Sequence, residues 1–165
     1  MVNSLDKTIT ITKTDIGKHI ETCLAIAKEL PDYFNEQGIS DMSQDIQRHF
    51  LYVAMSSNGI VGFAIINEKS DYVAEISWMA VKSERHRQGI GSALVDHLDV
   101  DLKSQGFRVL EVKTLATHAD ISGFERTYAK TKQFYEKVGF LHLETIDPYP
   151  AWEPGNPCAI YIKIL

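Results

Sequence analysis

Two glycines after a basic run mark the stretch of the chain best suited to bind a ligand. Gly89 and Gly91 lie between an apolar strand pattern ending at Val81 and a helical pattern beginning at Ile90, and residues 85–87 include two arginines. A glycine lets a ligand approach the backbone closely and adopts positive φ. The first turn of a helix leaves amides unpaired, and its dipole favours an anion there. The pattern therefore predicts a phosphate or pyrophosphate site.

The glycine pattern alone does not identify the phosphate ligand. No Gly-Lys-Ser/Thr follows at the spacing of a Walker loop. Position 94 is Leu94, where the dinucleotide-binding fingerprint has a third glycine. A Gly-x-Gly at a strand–helix junction is equally compatible with glycines that only permit close packing, so both interpretations stay open.

Length and composition fit one globular domain over residues 1–165, with 44% hydrophobic and 24% charged residues. The net charge of −5 argues against a nucleic-acid partner, since the basic run at residues 85–87 stands alone. No apolar run is long enough to span a membrane, and residues 1–6 lack the apolar segment of a signal peptide. We therefore expect a cytoplasmic protein without nucleic-acid or membrane partners.

Cysteine and histidine usage does not suggest a metal site or a disulfide framework. Cys23 and Cys158 lie far apart in the chain, and Cys23 falls on an apolar helical face. We expect two buried free thiols. The six histidines are scattered without the paired spacing of metal ligands, so we expect no bound metal.

Apolar periodicities predict an α/β (α+β) fold with the element order β α α β β β α β α β β. The predicted strands cover residues 8–12, 50–55, 60–66, 73–81, 107–115, 140–146 and 159–165, and the predicted helices cover residues 15–30, 43–49, 90–105 and 124–138. These elements form a mixed central sheet of about seven strands flanked by about four helices. Because a strand–helix–strand crossover makes its strands parallel, the ligand belongs at the carboxyl end of the strand over residues 73–81.

Two motifs, in this element order, resemble those of the GNAT superfamily of N-acetyltransferases. The first is Gly89-Ile90-Gly91-Ser92-Ala93-Leu94 after Met79-Ala80-Val81, and the second is Phe134-Tyr135-Glu136-Lys137-Val138-Gly139-Phe140. The resemblance covers nearly the whole chain and implies a GNAT-like fold. It also implies an acetyl-CoA-dependent enzyme that moves an acetyl group by direct transfer to a primary amine of a small molecule or peptide.

The resemblance implies a role for each matching residue. The loop amides would hold the pyrophosphate of acetyl-CoA, the strand before the loop would hydrogen-bond the pantetheine arm and acetyl group, and Tyr135 would lie near the sulfur. The implied coenzyme-binding residues are Met79, Ala80, Val81, Arg87, Gln88, Gly89, Ile90, Gly91, Ser92 and Tyr135.

Three positions depart from the family's common pattern. His86 stands where Arg or Gln is common, three residues before the first glycine. Tyr128 and Thr131 stand where Asn and Ala are often found, seven and four residues before the tyrosine. These departures suggest a subgroup of the family.

Direct acetyl transfer needs a neutral amine, a polarised thioester carbonyl and a proton for the leaving thiolate. We predict Tyr135 as the acid, with Tyr128 on the same helical face as its substitute. The alternative is that Tyr135 only packs in the core, with its hydroxyl at the surface.

The candidate base is Glu75, on the strand before the glycine loop. Strand alternation groups Glu75 with Ser77, Met79 and Val81 on one face, where desolvation would raise the pKa of a carboxylate. The alternative is a solvated carboxylate at a strand end. Further candidates are Glu111, His118 and a relaying water.

Two loops are candidates for binding the acceptor amine. Residues 147–157 carry four prolines with Tyr149 and Trp152, and residues 116–125 form an unusually long connection. Tyr33, followed by Phe34, is a third candidate. The alternative for residues 147–157 is a rigid surface loop or a contact in a homodimer. The alternative function is a non-catalytic coenzyme A-binding or interaction domain on the same fold.

Overall fold

The computed structural model describes residues 8–116 and 125–165, except for the side chains of residues 125–127. The observed order of strands and helices confirms the order predicted from the sequence. The strands are β1 (Thr10–Thr14), β2 (Phe50–Ser56), β3 (Gly59–Glu68), β4 (Val73–Val81), β5 (Val109–Leu115), β6 (Leu141–Ile146) and β7 (Cys158–Ile164). The helices are α1 (Ile20–Lys28), α2 (Glu36–Asp45), α3 (Ile90–Ser104) and α4 (Glu125–Lys137).

Both N-terminal helices differ from their predicted bounds. Helix α1 was expected from residue 15, but Gly17 (φ 88°) and His19 (φ 61°) adopt positive φ, which a right-handed helix does not allow, and α1 begins at Ile20. Helix α2 was expected over residues 43–49 and lies about two turns earlier. Its start is fixed by Asn35, whose side chain accepts a 2.8 Å hydrogen bond from the Gly38 amide.

The seven strands form one sheet in the order β1-β2-β3-β4-β5-β7-β6. All neighbouring strands are antiparallel except β4 and β5, which the crossover through α3 makes parallel. This parallel contact covers only four residue pairs, from Val73 opposite Val109 to Ile76 opposite Val112.

Each face of the sheet carries its own core. Helices α3 and α4 pack on one face, with Leu94, Leu98 and Tyr135 in that core. Helices α1 and α2 pack on the other face, with Ile26 and Met42 buried there. We call these the α3–α4 face and the α1–α2 face. The two cores hold the strands and helices that position the glycine loop.

Candidate active site

Strands β4 and β5 separate halfway along their length. Beyond Ile76, β4 continues to Val81 with β3 as its partner, and β5 continues to Leu115 with β7 as its partner. In the described part of the chain, β4 therefore has no strand neighbour on its β5 side from Ser77 onward. We call this opening the fork. Its unpaired β4 backbone groups are available to an extended ligand.

A register shift in β4 changes which side chains face each core. Ile66 lies opposite Ile76 and Ile65 lies opposite Trp78, so β4 carries an extra residue, Ser77, as a bulge. After the bulge, Met79 and Val81 contact the α3–α4 core, whereas Trp78 and Ala80 contact the α1–α2 core.

The loop after β4 presents open backbone amides. A short 3₁₀ turn at Ser83–Arg85 is followed by positive φ at Arg87 (61°) and Gly89 (79°), and α3 then starts without a side-chain cap. A Cβ built on Gly89 would meet no atom within 4 Å. The amides at the start of α3 thus have room for an anion in front of them.

Side chains of the loop also hold its shape. The Nε2–H group of His86 donates a 2.7 Å hydrogen bond to the Val81 carbonyl. Gln88 donates a 3.1 Å hydrogen bond to the Glu84 carbonyl. The loop is thereby connected to the end of β4, next to the fork.

The two glycines of the loop have different structural roles. Gly89 supplies a left-handed conformation in open space, whereas a Cβ on Gly91 would lie 3.2 Å from the Phe134 ring. Gly91 lets the start of α3 pack closely against α4. The packing interpretation therefore applies to Gly91, and the phosphate-binding interpretation stays a prediction for Gly89.

Tyr135 is buried, with 7% of its surface exposed. Its ring centroid lies 5.1 Å from that of Phe134 and 5.2 Å from that of Phe140. Burial raises the pKa of its hydroxyl, so the group is protonated at neutral pH and can donate a hydrogen bond. Tyr128 is partly buried on the same helix, and burial raises its pKa too.

Glu75 lies in a cluster of alternating charges at the closed end of the fork. Lys113 places its Nζ atom 2.8 Å from Glu75 and 2.9 Å from Glu111, and Lys69 lies 2.7 Å from Glu111. Parallel pairing puts the two glutamates directly opposite each other, so the lysines offset a like-charge contact.

The pKa values of the cluster follow from these contacts. Burial alone would raise the pKa of Glu111, but hydrogen bonds from Lys69 and Lys113 lower it overall. Burial would likewise lower the pKa of Lys113, but its hydrogen bonds to Glu75 and Glu111 raise it. The Glu111 carboxylate and the Lys113 ammonium are thus both held in their charged forms at neutral pH.

The expected grouping of Glu75 with Ser77, Met79 and Val81 is wrong. Glu75 lies opposite Asn67 of β3, which alternates with Ile65 on the α1–α2 face. Met79 and Val81 contact the other core because the bulge shifts the alternation by one residue. As a base, Glu75 would first have to leave its ion pair with Lys113.

The predicted acceptor residues fall into two groups. Tyr33 lies beside Phe34, with ring centroids 6.3 Å apart, and Phe34 lies 6.1 Å from Trp78. Tyr149 and Trp152 form their own pair, with centroids 5.2 Å apart. The segment carrying that pair returns to the fork, where the Ala116 amide donates to the Pro157 carbonyl. His118 and most of residues 116–125 lie outside the described residues.

Sequence reasoning missed Trp78 and Asp45. The Trp78 indole donates a 2.7 Å hydrogen bond to Asp45 of α2, on the α1–α2 face beside the fork. A tryptophan immediately before Met79 was a visible signal, but the bulge that orients it was not.

Cys158 of β7 lies opposite Leu115 at the end of β5, whereas Cys23 lies in α1. Cys23 and Cys158 are buried free thiols, and burial raises their pKa values to about 12 and about 11. Across residues 8–116 and 125–165, no group of His, Cys, Asp or Glu is arranged to hold a metal ion, and no helix is long and apolar enough to cross a membrane. Two shallow depressions lie at the opposite end of the sheet, lined by Glu68, Ser70, Asp71, Gln105 and Phe107 and by Lys13, Thr14, Asp15, Ile16 and Phe50.

Comparison with known proteins gives a consistent family match. A family model described as an acetyltransferase (GNAT) domain matches residues 47–141, more than half of the chain. This match includes the fork, the glycine loop and Tyr135, and it leaves out α1 and α2. No curated protein matches the chain.

Solved structures share the fold over nearly the full chain. An acetyltransferase assigned to the GNAT family from Desulfovibrio desulfuricans is 18% identical, covers 95% of this chain and 99% of its own, and has a TM-score of 0.80. A GNAT-family acetyltransferase from Elizabethkingia anophelis with acetyl-CoA bound is 21% identical, covers 95% and 98%, and scores 0.71. The ribosomal-protein-S18-alanine N-acetyltransferase from Escherichia coli is 21% identical, covers 95% and 94%, and scores 0.70.

The charged cluster yields a stability prediction with a defined pH dependence. Lys113→Met should lower the free energy of unfolding by about 2 kcal/mol at neutral pH, because two opposed carboxylates then keep only Lys69 between them. Their repulsion raises a carboxylate pKa, so protonation as the pH falls from about 7 to about 5 should shrink the loss relative to wild type. Urea unfolding across this pH range measures both effects.

Lys132→Met is the matched control, since it removes a lysine 3.8 Å from Glu136 in an exposed pair. Its effect should stay within about 0.5 kcal/mol at every pH. A Lys113→Met protein as stable as the control would contradict a role for the cluster in holding the strands together.

Proposed function

Because this chain belongs to the GNAT family of acetyltransferases, we propose that it is an acetyl-CoA-dependent N-acetyltransferase. It moves an acetyl group directly from acetyl-CoA to a primary amine of a small molecule or peptide. The observation that carries this proposal is the open start of α3 beside the fork, with Gly89 in a left-handed conformation and no atom within 4 Å of its missing side chain.

Acetyl-CoA supplies the acetyl thioester, and this chain's residues bind and orient it. The uncapped amides at the start of α3 suit the pyrophosphate, and Arg87 adds positive charge to the same loop. The free β4 edge suits the extended pantetheine arm. The proposed contacts are Met79, Ala80 and Val81 in the fork, Arg87, Gln88, Gly89, Ile90, Gly91 and Ser92 in the loop, and Tyr135 at the sulfur.

Tyr135 is the proposed acid. The amine nitrogen forms a bond to the acetyl carbonyl carbon, and the bond between that carbon and sulfur breaks. The departing sulfur takes the proton of the Tyr135 hydroxyl, which burial keeps protonated at neutral pH. The attacking amine gives up one proton to Glu75 or to a relaying water, and the Tyr135 oxygen then regains a proton from solvent, so atoms and charges balance over one turnover.

Glu75 is the proposed base, and its position limits the role. The carboxylate is mostly buried and lies 2.8 Å from Lys113, so it accepts a proton only when that ion pair opens or a water relays it. Tyr33, Tyr149 and Trp152 are the proposed acceptor contacts, since both aromatic groups belong to segments that border the fork.

The proposed function is tested directly by release of free thiol from acetyl-CoA in the presence of primary amines and short peptides. Thiol release that depends on an amine, with the acetylated amine identified by mass spectrometry, is the expected result. Tight binding of acetyl-CoA without transfer to any acceptor would instead favour a non-catalytic coenzyme A-binding domain.

Gly89→Val tests the loop. The branched side chain would occupy the space in front of the helix amides, so the affinity for acetyl-CoA should fall at least tenfold, or about 1.4 kcal/mol. Gly106→Val is the matched control, because Gly106 also has positive φ (98°) and no atom within 4 Å of its Cβ position, but lies at the far end of α3. Calorimetric titration should find weak binding in the first variant and near wild-type binding in the second. If both variants fold and bind acetyl-CoA with equal affinity, this loop is not the pyrophosphate site.

Tyr135→Phe tests the acid. The substitution keeps the ring between Phe134 and Phe140 and removes only the hydroxyl, so kcat should fall roughly 100-fold while the Kd for acetyl-CoA holds. Tyr161→Phe removes the hydroxyl of another buried tyrosine and should leave kcat unchanged. If Tyr135→Phe keeps the wild-type kcat, Tyr128 or water supplies the proton to the leaving sulfur instead.

A further inference from the structure

Aromatic side chains from three parts of the fold meet beside the fork. Tyr33 and Phe34 come from the connection between α1 and α2, Trp78 comes from the open stretch of β4, and Tyr128 comes from the first turns of α4. The Tyr33–Phe34 and Phe34–Trp78 centroids lie 6.3 Å and 6.1 Å apart. Burial raises the pKa of Tyr128, and the charge of Tyr33 adds to that effect. We call these four residues the aromatic wall.

Hydrogen bonds hold the Trp78 indole and the backbone of Tyr33 and Phe34 in place. Trp78 is fixed by the 2.7 Å hydrogen bond from its indole to Asp45. The Tyr33 and Phe34 amides donate to the Leu30 carbonyl at 3.0 Å and 3.1 Å, which anchors their segment to the end of α1. A fixed apolar surface loses little conformational entropy when a flat group packs on it.

The charges around the aromatic wall are acidic. Burial raises the pKa of Tyr33, and the negative charge of Asp32 adds to that effect. Asp45 accepts the hydrogen bond from the Trp78 indole, and the His49 Nε2 atom lies 4.0 Å from its other carboxylate oxygen. No described lysine or arginine forms an ion pair with Asp32 or Asp45. A cation is therefore favoured here, both by carboxylates and by ring faces.

These observations favour one kind of acceptor. An amine with an apolar ring can pack the ring on Phe34 and Trp78 and keep its nitrogen near the acidic groups until it enters the fork. A polyhydroxylated amine would need several polar side chains for its hydroxyls, and the aromatic wall offers mainly ring faces. Residues 20–45, which carry α1, α2 and this connection, lie outside the family match.

We infer that the acceptor is a small primary amine joined by a short alkyl chain to an apolar ring, with Phe34 and Trp78 as the specificity-determining residues. The inference rests on the proposed function and narrows its acceptor. It assigns the ring-binding surface to the α1–α2 face of the fork and leaves acid catalysis with Tyr135.

The test compares 2-phenylethylamine, ethanolamine and glucosamine as acceptors at saturating acetyl-CoA. The expected kcat/KM for 2-phenylethylamine exceeds that for each polar amine at least tenfold, because only its ring packs on the aromatic wall. Phe34→Ala should raise the KM for 2-phenylethylamine about tenfold, which corresponds to about 1.4 kcal/mol, with kcat little changed. Its kcat/KM ratio between 2-phenylethylamine and ethanolamine should fall by a similar factor.

Phe50→Ala is the matched control, since Phe50 is a partly buried phenylalanine at the opposite end of the sheet, where Lys13 covers its ring. This variant should keep the wild-type ratio between acceptors. General damage to the fold would lower both kcat/KM values together and leave the ratio unchanged, so the ratio separates specificity from stability.

The remaining outcomes contradict either this inference or the proposed function. Equal or better use of the polar amines, or an unchanged ratio in Phe34→Ala, overturns this inference and leaves the proposed function standing. Binding of acetyl-CoA with no transfer to the three amines, but transfer to a peptide amino group, also overturns it. Absence of acetyl-CoA binding overturns the proposed function itself.

Discussion

The site depends on the shortness of one strand pairing. Strands β4 and β5 share only four residue pairs, and the rest of each strand belongs to its outer neighbour. A longer pairing would close the fork and satisfy the β4 edge with backbone from β5. Because the pairing stops at Ile76, the sheet keeps an open slot in its middle, and the crossover through α3 places the glycine loop at the mouth of that slot.

A bulge and a charged cluster lie at the closed end of the fork, where β4 and β5 are still paired. The bulge at Ser77 directs Trp78 to the α1–α2 face and Met79 to the α3–α4 face, so the open strand offers a different surface on each side of the sheet. The charged cluster of Glu75, Glu111, Lys69 and Lys113 spans the last paired residues and offsets the contact between two carboxylates. The surfaces that we propose for the coenzyme and for the acceptor therefore lie on opposite faces of the sheet.

Sequence reasoning predicted the element order, the seven-stranded sheet and the place of the glycine loop, because strong apolar periods and two glycines leave little freedom there. It placed α2 two turns late because the local cap at Asn35, rather than the apolar pattern, fixes where that helix starts. It put Glu75 on the wrong face because a one-residue bulge inverts strand alternation without any sign in composition. The meeting of Phe34 with Trp78 joins residues 44 positions apart, which only the fold could reveal.

The central claim is that the fork and the glycine loop form one acyl-coenzyme A site. Amide chemical shifts from ¹H–¹⁵N spectra of the full chain, titrated with acetyl-CoA and separately with ATP, test this claim most directly. Acetyl-CoA should perturb the amides of residues 88–92 and of β4 from Trp78 to Val81 together, with one shared Kd, while residues 68–72 at the far end of the sheet stay unchanged. ATP should perturb residues 88–92 far less and leave β4 unaffected. Shifts confined to other parts of the chain, or the same pattern with ATP, would contradict the claim.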